Sequence, residues 1–400
     1  MGTITRWNGQ CVRYELPFFV SYCIYLVVMI SKTSFLDQYI SERGYKLVLL
    51  ICLLLLFAKE YSDGQFHPLL VIAIFLIGGM VLIIHKDASF TKAFFLAYLF
   101  CGRDVSFERI AKLTVIVSSF MLLIIIAGSQ MGLITNYIMD PDSNREREFV
   151  GFLYALYPAA YLTNIVSLEI YLKKEKIRLL ELIFFFIVNY WIYVKTNSRL
   201  SFLMTAAIIL LGLLLKLMTY IAKTRSYSFN PVKGAACLLT SLSFIICGAG
   251  SLWMQISYNP SSGWMSKLNE ILTGRLYYGH QSFVQYGVSM LGQSIAWVGN
   301  GLDSSGQKTA GDYLYVDCSY LQVLQQYGIL FLLLMLLVLT ITVAVCFYYR
   351  KYVLVLLLVS IAVHMMIDDL ILHLWYNAFW FVSAQIVLTQ SEKFSSSKRQ

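Results

Sequence analysis

Long runs of apolar residues, separated by short polar links, occupy most of the chain. A helix needs about 20 predominantly apolar residues to cross the hydrocarbon core of a bilayer, and many of the runs reach or approach that length. We therefore predict about 12 transmembrane helices, with a range of roughly 11–13. Their predicted bounds are 16–33, 45–58, 69–85, 90–101, 111–130, 150–171, 177–194, 200–222, 233–256, 320–347, 351–366 and 370–389.

The composition agrees with this pattern. Of the 400 residues, 58% are hydrophobic and only 13% are charged, and the mean hydropathy is +0.68. Soluble domains carry about 25% charged residues, so an ordinary soluble enzyme is excluded. We predict an all-α polytopic membrane protein in which residues 1–400 form a single integral membrane domain. The eight cysteines have no paired or metal-ligand spacing, which indicates neither a disulfide nor a zinc framework.

Positive charges predict the orientation. Lysine and arginine collect in the links at 173–178, 223–233 and 350–351, and short cytoplasmic loops carry such an excess. With 12 spans, both termini then lie in the cytoplasm and residues 257–319 lie on the outer face. The net charge of +9 is thereby explained as a topology signal, and it does not indicate nucleic-acid binding.

Segment 257–319 is the longest link, between the ninth and tenth predicted spans. It far exceeds the usual connection between packed helices. Apolar residues recur in it at helical spacing from Trp264 to Val284, which predicts two amphipathic helices at the membrane surface. We interpret the segment as an extracytoplasmic lid with a functional role, and a passive cover is the alternative interpretation.

Four arginines from three separate loops are predicted to reach the same outer surface. They are Arg145, Arg147, Arg199 and Arg275. An arginine fork binds phosphate oxygens bidentately and stays charged, so such a group suits a pyrophosphate. Arg199 is predicted in the first turn of the eighth span, after a cap at Asn197 or Ser198, where helix amides favour an anion. The alternatives are an Arg199 side chain that extends to lipid headgroups, and arginines near 145–147 that pair with adjacent glutamates.

Several titratable side chains on this face are candidates to handle a proton: Asp317, His280 and Asp303, with Asp368, Asp369 and His373 near the last outer turn. Asp317 is the first choice, because it directly precedes a long apolar helix, where partial desolvation raises a carboxyl pKa. A helix N-cap aspartate is the alternative interpretation. His280 is the second choice. Tyrosines suited to contact sugar, or simply to line a membrane interface, are Tyr277, Tyr278, Tyr313, Tyr315 and Tyr320.

Taken in chain order, these outer segments resemble the polysaccharide polymerases of the Wzy-dependent pathway, which are related to the O-antigen ligases. The resemblance covers residues 130–380. Its motifs are Gly132-Leu-Ile134, Arg145-Glu-Arg147, Gly151-Phe152, Thr196-Asn-Ser-Arg199, Leu272-Thr-Gly-Arg275-Leu276, Gly299-Asn-Gly301, Asp317-Cys-Ser-Tyr320, Gly328 and Tyr376-Asn377. Cys318 departs from the family, which usually has asparagine or serine after the aspartate. The ligases have a histidine where Asp317 stands, which favours a polymerase.

The resemblance implies a glycosyltransferase. Because the outer face has no acidic DxD or histidine cluster, we expect it to use no metal, and we expect no cofactor. It would transfer the growing glycan from undecaprenyl pyrophosphate to the non-reducing end of the next lipid-linked repeat unit, on the outer face of the bacterial inner membrane. The product would be O-antigen, capsule or exopolysaccharide. The implied partners are the lipid-linked oligosaccharide, the bilayer, and the flippase and chain-length regulator of the same pathway, and no nucleic acid.

The resemblance also implies roles for individual residues. Those implied in catalysis are Asp317, Arg199, Arg275 and His280. Those implied in substrate binding are Arg145, Arg147, Tyr277, Tyr278, Tyr320 and Asn377. The arginines would neutralise charge on the departing pyrophosphate, and the aspartate, or else the histidine, would orient or deprotonate the acceptor hydroxyl. An apolar groove for the prenyl tail is expected between helices beneath the lid.

Two other functions fit the same features. An O-antigen ligase would transfer finished glycan to a lipid A core by the same chemistry. A transporter or flippase for lipid-linked oligosaccharide would also have many spans, but transporters tend to show internal repeats and charges at mid-membrane depth. The chain shows no convincing duplication, and the only charges deep within its predicted spans, Glu169 and Lys216, lie near the cytoplasmic ends.

Overall fold

A computed structural model describes residues 7–62, 91–139, 146–224, 233–308 and 310–388. The predicted third span, 69–85, lies outside these ranges, and so does Arg145. Within them the chain is predominantly helical and holds one short pair of antiparallel strands. A contiguous apolar core includes residues from the first described helix to the last.

The elements follow one another with short links. The first helices are α1 (Trp7–Lys32), α2 (Glu42–Ser62), α3 (Thr91–Cys101) and α4 (Phe107–Gln130). The strand pair is β1 (Ile138–Met139) with β2 (Arg147–Glu148). The central helices are α5 (Tyr157–Lys173), α6 (Leu179–Thr196), α7 (Arg199–Thr224), α8 (Lys233–Ser241) and α9 (Ser243–Ile256). The last helices are α10 (Gly263–Ile271), α11 (Arg275–Tyr286), α12 (Ser319–Gln326), α13 (Ile329–Tyr348), α14 (Tyr352–His364) and α15 (Trp380–Leu388).

Several helices have the length and composition of membrane spans. In the described part of the chain, five are long and apolar enough to cross a bilayer: Glu15–Lys32, Phe107–Gln130, Leu179–Thr196, Arg199–Leu217 and Ile329–Tyr348. Two further apolar helices are shorter, Ser243–Ile256 and Tyr352–His364. The fold is therefore consistent with an all-α membrane protein, while the total of about 12 spans stays a prediction.

Some predicted spans are interrupted. The predicted span 320–347 is two helices, α12 and α13, which meet at Gly328. Gly328 has a φ of +91°, and a Cβ there would collide with the backbone of Met290 and Gly292. The backbone N–H of Ile329 instead donates to the Ser289 carbonyl at 3.1 Å. The loop at 289–292 therefore packs against the chain where the helix is interrupted, and the predicted continuous helix over 320–347 is wrong.

The last predicted span, 370–389, is also shorter than expected. It contains a 3-10 turn at Leu370–Leu372 and becomes α-helical only at Trp380. Asn377 lies in the non-helical part, where its Oδ1 accepts from the Phe379 amide at 3.1 Å. That side-chain bond offers the backbone an alternative to a helical turn. Similarly, the predicted span 150–171 is helical only from Tyr157 onward.

A small apolar cluster ties together the loops at one end of the bundle. Its buried members include Phe35, Met139, Phe149, Leu153 and Leu302, which come from segments far apart in the chain. The Leu302 amide donates to the Leu153 carbonyl at 2.8 Å. The strand pair between β1 and β2 is thus held against the bundle, so the side chains that follow it have fixed positions.

Two short helices, α10 and α11, occupy the segment in which the sequence predicts two amphipathic helices. Their apolar faces form a separate cluster around Tyr258, Met265 and Leu276 at the end of α9. Thr273 and Gly274, both with positive φ, turn the chain between them. This turn places Arg275 at the first position of α11. Their position at a membrane surface stays a prediction.

A buried ion-pair network joins α2 to the link between α3 and α4. Arg103 donates to both carboxylate oxygens of Glu60 at 3.0 Å, and Lys59 contacts Glu60 at 2.9 Å. Lys59 also contacts Asp104 at 2.6 Å. The side chains of Lys59, Glu60 and Arg103 are only 1%, 3% and 8% exposed, so water does not replace a missing partner.

Glu60→Gln is expected to lower the free energy of unfolding by about 3–5 kcal/mol, because two buried cations would lose their shared counter-charge. Glu108→Gln is the control, since Glu108 pairs with Lys112 at 2.8 Å on an exposed helix face. It should cost less than about 1 kcal/mol. Unfolding of the purified variants in detergent measures both, and equal losses would contradict the prediction.

Candidate functional site

A cavity of about 400 Å³ lies where the loops around β2, the start of α7, the start of α11 and segment 313–317 meet. We call it the cationic cavity, because its charged lining residues are four cations and one acid: Arg147, Arg199, Arg275, Lys308 and Asp317. Tyrosines and small polar side chains complete the wall. Three of the four arginines singled out from the sequence therefore line one cavity, and the fourth, Arg145, lies outside the described residues.

Arg147 is held by the strand pair. Its side chain is buried, and Nε donates to the Thr196 carbonyl at the end of α6, at 2.9 Å. The guanidinium also lies over the ring of Tyr154 at 5.9 Å. The neighbouring Glu148 points to other partners, accepting from Lys195 at 2.7 Å and from Asn136 at 2.9 Å. Arg147 thus connects the outer loop to the link between α6 and α7.

That link positions Arg199. Asn197 ends α6 in the left-handed conformation, with a φ of 49°, and Ser198 is buried. The Ser198 hydroxyl donates to the Ala155 carbonyl at 3.2 Å and accepts from Thr196 at 2.9 Å. Arg199 is then the first residue of α7, as the sequence predicts for its first turn. Its exposed guanidinium makes no hydrogen bond or ion pair with any described residue, so it is available to an anion.

Arg275 and Asp317 form an ion pair. The Arg275 Nε lies 3.2 Å from the Asp317 carboxylate, and the two side chains are 15% and 11% exposed. The guanidinium also donates to the Ile367 carbonyl at 3.0 Å and to the Thr273 hydroxyl at 2.6 Å. The N-cap of α12 is Cys318, so the interpretation of Asp317 as a helix N-cap is wrong.

Burial raises the pKa of the Asp317 carboxyl above its ordinary range. The Arg275 guanidinium opposes this shift, the Asp368 carboxylate adds to it, and Arg147 opposes it more weakly. A carboxylate with a raised pKa is a stronger base than one in water. The role of Asp317 as a proton acceptor stays a prediction.

The structure separates the other predicted residues on α11. Tyr278 lines the cationic cavity and packs edge to face on Tyr313, with ring centroids 4.7 Å apart. Tyr277 is exposed and contacts Tyr278 and Tyr258 outside the cavity lining. His280 is also outside the lining. Its Nδ1 donates to carbonyl oxygens of α9 at 3.1 and 3.2 Å, so the structure does not bring it to Asp317.

Two predicted substrate contacts belong to the packed interior instead. Tyr320 is fully buried, and its hydroxyl donates to the Ala362 carbonyl at 2.9 Å. Asn377 is 5% exposed, and its amide nitrogen donates to the Ile371 carbonyl at 3.3 Å. Neither side chain lines the cationic cavity. The prediction that they contact substrate in this cavity is wrong, because both side chains bond to backbone carbonyls within the fold.

Sequence reasoning missed Lys308 and Tyr154, which line the same cavity. Lys308 is a single exposed lysine in a polar loop, and a backbone bridge pairs it with Leu302. No local pattern distinguishes either residue. A signal did exist for Asn300, which also lines the cavity and lies in the glycine-rich turn.

An apolar cavity of about 210 Å³ lies beneath α10 and α11. We call it the lid cavity. Leu268, Leu272 and Leu276 of these helices face Met254 of α9 across it, and Ile367 also lines it. Arg275 lines both this cavity and the cationic cavity, so the two adjoin at its side chain. An apolar cavity therefore lies beneath α10 and α11, and its use as the groove for a prenyl tail stays a prediction.

Asp369 is a further buried acid behind segment 313–317. Its Oδ2 accepts from the Tyr315 hydroxyl at 2.6 Å and from the Gln322 amide at 3.0 Å. Burial, with smaller contributions from Asp368 and Asp317, raises the pKa of Asp369 from 3.8 to about 8. Because the folded state binds this proton more tightly than the unfolded chain, stability falls as the pH rises from about 4 to about 8.

Asp369→Asn is expected to flatten this decline and to make the protein at least as stable as the wild type at pH 8. A change of 1 kcal/mol shifts Tm by roughly 2–4 °C in chains of moderate size, so thermal unfolding between pH 5 and 8.5 measures it. Asp303→Asn is the control, since Asp303 is exposed and hydrogen bonds to Ser305 lower its pKa. If Asp369→Asn keeps the wild-type slope, the raised pKa is wrong.

Comparison with known proteins adds no identification. No protein-family model, curated protein or solved structure matches the chain. The functional interpretation therefore depends on the geometry of the cavities and on the motifs described above.

Proposed function

We propose that this protein polymerises lipid-linked oligosaccharide repeat units as a metal-independent glycosyltransferase. The observation that supports it best is the convergence of Arg147, Arg199 and Arg275 on one cavity that also contains Asp317. These arginines come from three separate segments of the chain. Four cations facing one carboxylate leave an excess of positive charge, which suits a pyrophosphate.

In the proposed reaction, the donor is a glycan on undecaprenyl pyrophosphate. A hydroxyl oxygen of the acceptor sugar attacks the anomeric carbon of the donor and forms the new glycosidic bond. The bond from that carbon to the pyrophosphate oxygen breaks, and the pyrophosphate leaves with the electron pair. The hydroxyl proton passes to Asp317. The guanidinium groups are already in place and stabilise the leaving group without reorganisation. Such preorganised stabilisation is usually the largest contribution to the rate enhancement of an enzyme.

Arg199 and Arg275 have different positions in this proposal. Arg199 is exposed and without a partner among the described residues, so it can bind the pyrophosphate directly. Arg275 is tied to Asp317, and it links the base to the leaving group. Proton uptake by Asp317 frees the Arg275 charge as the pyrophosphate departs. The pair thus couples the two halves of the reaction.

The lid cavity supplies a place for the donor lipid. Its wall is almost entirely apolar, and it adjoins the cationic cavity at Arg275. We propose that the first isoprene units lie there, and that the rest of the tail lies in the bilayer. The membrane is the bacterial inner membrane, the cavities open on its outer face, and both termini are cytoplasmic. The flippase of the pathway delivers the substrate, and the chain-length regulator acts on the product.

The decisive test is reconstitution of the purified chain in liposomes with a synthetic repeat unit on undecaprenyl pyrophosphate. We expect a ladder of products that differ by one repeat unit, in the presence of EDTA as well as without it. Transfer of a single glycan to an added lipid A core, without a ladder, would instead identify a ligase. Movement of the lipid between leaflets without any new glycosidic bond would identify a transporter.

A further inference from the structure

A second large cavity, of about 390 Å³, lies on the other side of segment 313–317. We call it the aromatic cavity. Its wall is formed mainly by rings, which include Tyr25, Trp297, Tyr315, Tyr327 and Trp375. These side chains come from α1, from the long segment 257–319, from the end of α12 and from the link before α15. The proposed donor chemistry uses none of them.

Two residues of this wall carry a buried polar atom that has no hydrogen-bond partner among the described residues, the Tyr25 hydroxyl and the Trp375 indole. The side chain of Trp375 is 6% exposed, and its indole Nε1 has no hydrogen-bond partner among the described residues. A buried N–H that stays unpaired costs about 1–3 kcal/mol. The neighbouring Trp380 differs, because its Nε1 donates to the Ile371 carbonyl at 2.9 Å. The two unpaired groups, on Tyr25 and Trp375, favour a polar ligand over a purely apolar one at this wall.

The other polar groups lie among flat ring surfaces. Gln322, Gln326 and Asp369 line the cavity together with the aromatic residues. The Gln326 side-chain amide makes no hydrogen bond within the described residues. His373 stacks on Trp375 with ring centroids 4.5 Å apart and an interplanar angle of 11°, which presents a rigid double plane. Apolar planes edged by amides and a carboxyl group suit a sugar, which has C–H faces and a rim of hydroxyl groups.

A lipid chain fits this wall less well. A prenyl or acyl chain has no hydrogen-bonding atoms, so it would leave the Trp375 N–H and the Gln326 amide unpaired. The lid cavity, by contrast, has an almost entirely apolar wall. The two cavities therefore differ in chemistry as a sugar site and a lipid site would differ.

The aromatic cavity shares a wall with the cationic cavity. Tyr313 and Asp317 line the cationic cavity, while Tyr315, between them in the chain, lines the aromatic one. The Arg275 guanidinium donates to the Ile367 carbonyl, two residues before Asp369 of the aromatic cavity. A sugar bound among the aromatic rings would thus be a close neighbour of the proposed base and leaving group.

We propose that the aromatic cavity binds the non-reducing terminal sugar of the incoming acceptor repeat unit. This inference rests on the proposed function, because only a glycan-transferring enzyme needs an acceptor site here. It assigns the donor and the acceptor to opposite sides of segment 313–317. It also makes Trp375 and Gln326 residues that determine acceptor affinity without contacting the pyrophosphate.

The test uses two separate probes on the full-length protein in nanodiscs. One is the repeat-unit oligosaccharide released from its lipid carrier by mild acid, and the other is undecaprenyl pyrophosphate without sugar. Calorimetric titration gives a Kd for each. We expect Trp375→Phe, which keeps the ring but removes the N–H, to weaken oligosaccharide binding by about tenfold and to leave undecaprenyl pyrophosphate binding unchanged. Gln326→Ala should act in the same direction.

Controls separate the possible results. Trp253→Phe changes an exposed tryptophan that stacks on Trp264 outside the cavity, and it should alter neither Kd. Unchanged undecaprenyl pyrophosphate binding shows that the cavity variants are folded. Oligosaccharide binding that is absent, or insensitive to both cavity variants, would overturn the inference. Weaker undecaprenyl pyrophosphate binding in the same variants would also overturn it, because the cavity would then hold lipid.

Failure of the proposed function looks different. In that case the wild-type protein forms no product ladder with the lipid-linked repeat unit, whatever its affinity for free oligosaccharide. A wild-type ladder combined with cavity variants that bind oligosaccharide normally rejects the acceptor site alone. A wild-type ladder combined with weakened binding in both cavity variants supports the site and the function together.

Discussion

Replacing Arg199 by alanine is expected to reduce repeat-unit polymerisation by roughly 10²–10³-fold, the usual effect of removing one preorganised donor to a developing negative charge. The guanidinium is exposed and has no partner among the described residues, so its loss breaks no internal contact. An arginine in the first turn of α7 opposes the helix dipole, and its removal should not destabilise the fold. Activity and stability therefore separate cleanly at this position.

The lysine variant distinguishes phosphate binding from headgroup contact. Arg199→Lys keeps the charge but loses the planar fork that binds two phosphate oxygens at once. A bidentate contact predicts that Arg199→Lys loses most of the activity lost in Arg199→Ala. A side chain that only extends to lipid headgroups predicts nearly wild-type activity, because lysine does this equally well.

Arg178 provides the matched control. It is an exposed arginine at the N-terminal end of α6, whereas Arg199 follows the C-terminal end of that helix. Arg178 does not line the cationic cavity. Arg178→Ala should leave the product ladder unchanged. The measurement is the initial rate of ladder formation at equal amounts of membrane-inserted protein. Equal losses for Arg178→Ala and Arg199→Ala would show a general effect of surface charge and would contradict the assigned role.

The helices were predictable where hydropathy alone decides them. The predicted span 111–130 corresponds to Phe107–Gln130, and 177–194 corresponds to Leu179–Thr196. An apolar run of membrane length has few alternatives to a helix, since its backbone groups must pair within the segment. The same reasoning fails at Gly328 and over 373–379, because there the chain is interrupted by contacts with distant loops. Hydropathy carries no information about such contacts.

The candidate site was partly predictable for a related reason. In the predicted topology, successive links lie on alternate sides of the membrane, and this puts Arg147, Arg199 and Arg275 on one side. The structure has them around one cavity. Topology does not specify which side chains turn inward. Tyr320 and Asn377 belong to the motifs, yet each bonds to a carbonyl within the packed interior. The pairing of Arg275 with Asp317 likewise depends on how α11 packs, which no local pattern encodes.

Asp317→Asn is expected to reduce polymerisation by about 10²–10⁴-fold, the range for loss of a general base. The variant keeps the size of the side chain and removes only its charge, so the ion pair with Arg275 is lost while the packing is retained. Undecaprenyl pyrophosphate binding should survive, because the cationic cavity becomes more positive. The rate of ladder formation and the Kd for undecaprenyl pyrophosphate, measured on the same preparation, separate chemistry from binding.

The pH profile distinguishes a base from a residue that merely positions Arg275. A base acts only when ionised, and burial raises the pKa of Asp317, so the wild-type rate should climb with pH above the usual carboxyl range. Asp317→Asn should lose this climb, whereas Asp312→Asn, an exposed aspartate in the same segment, should keep it. A purely positioning role predicts a lower rate with the wild-type climb retained. That result would transfer proton acceptance to another group at the cavity and leave Asp317 as the anchor of Arg275.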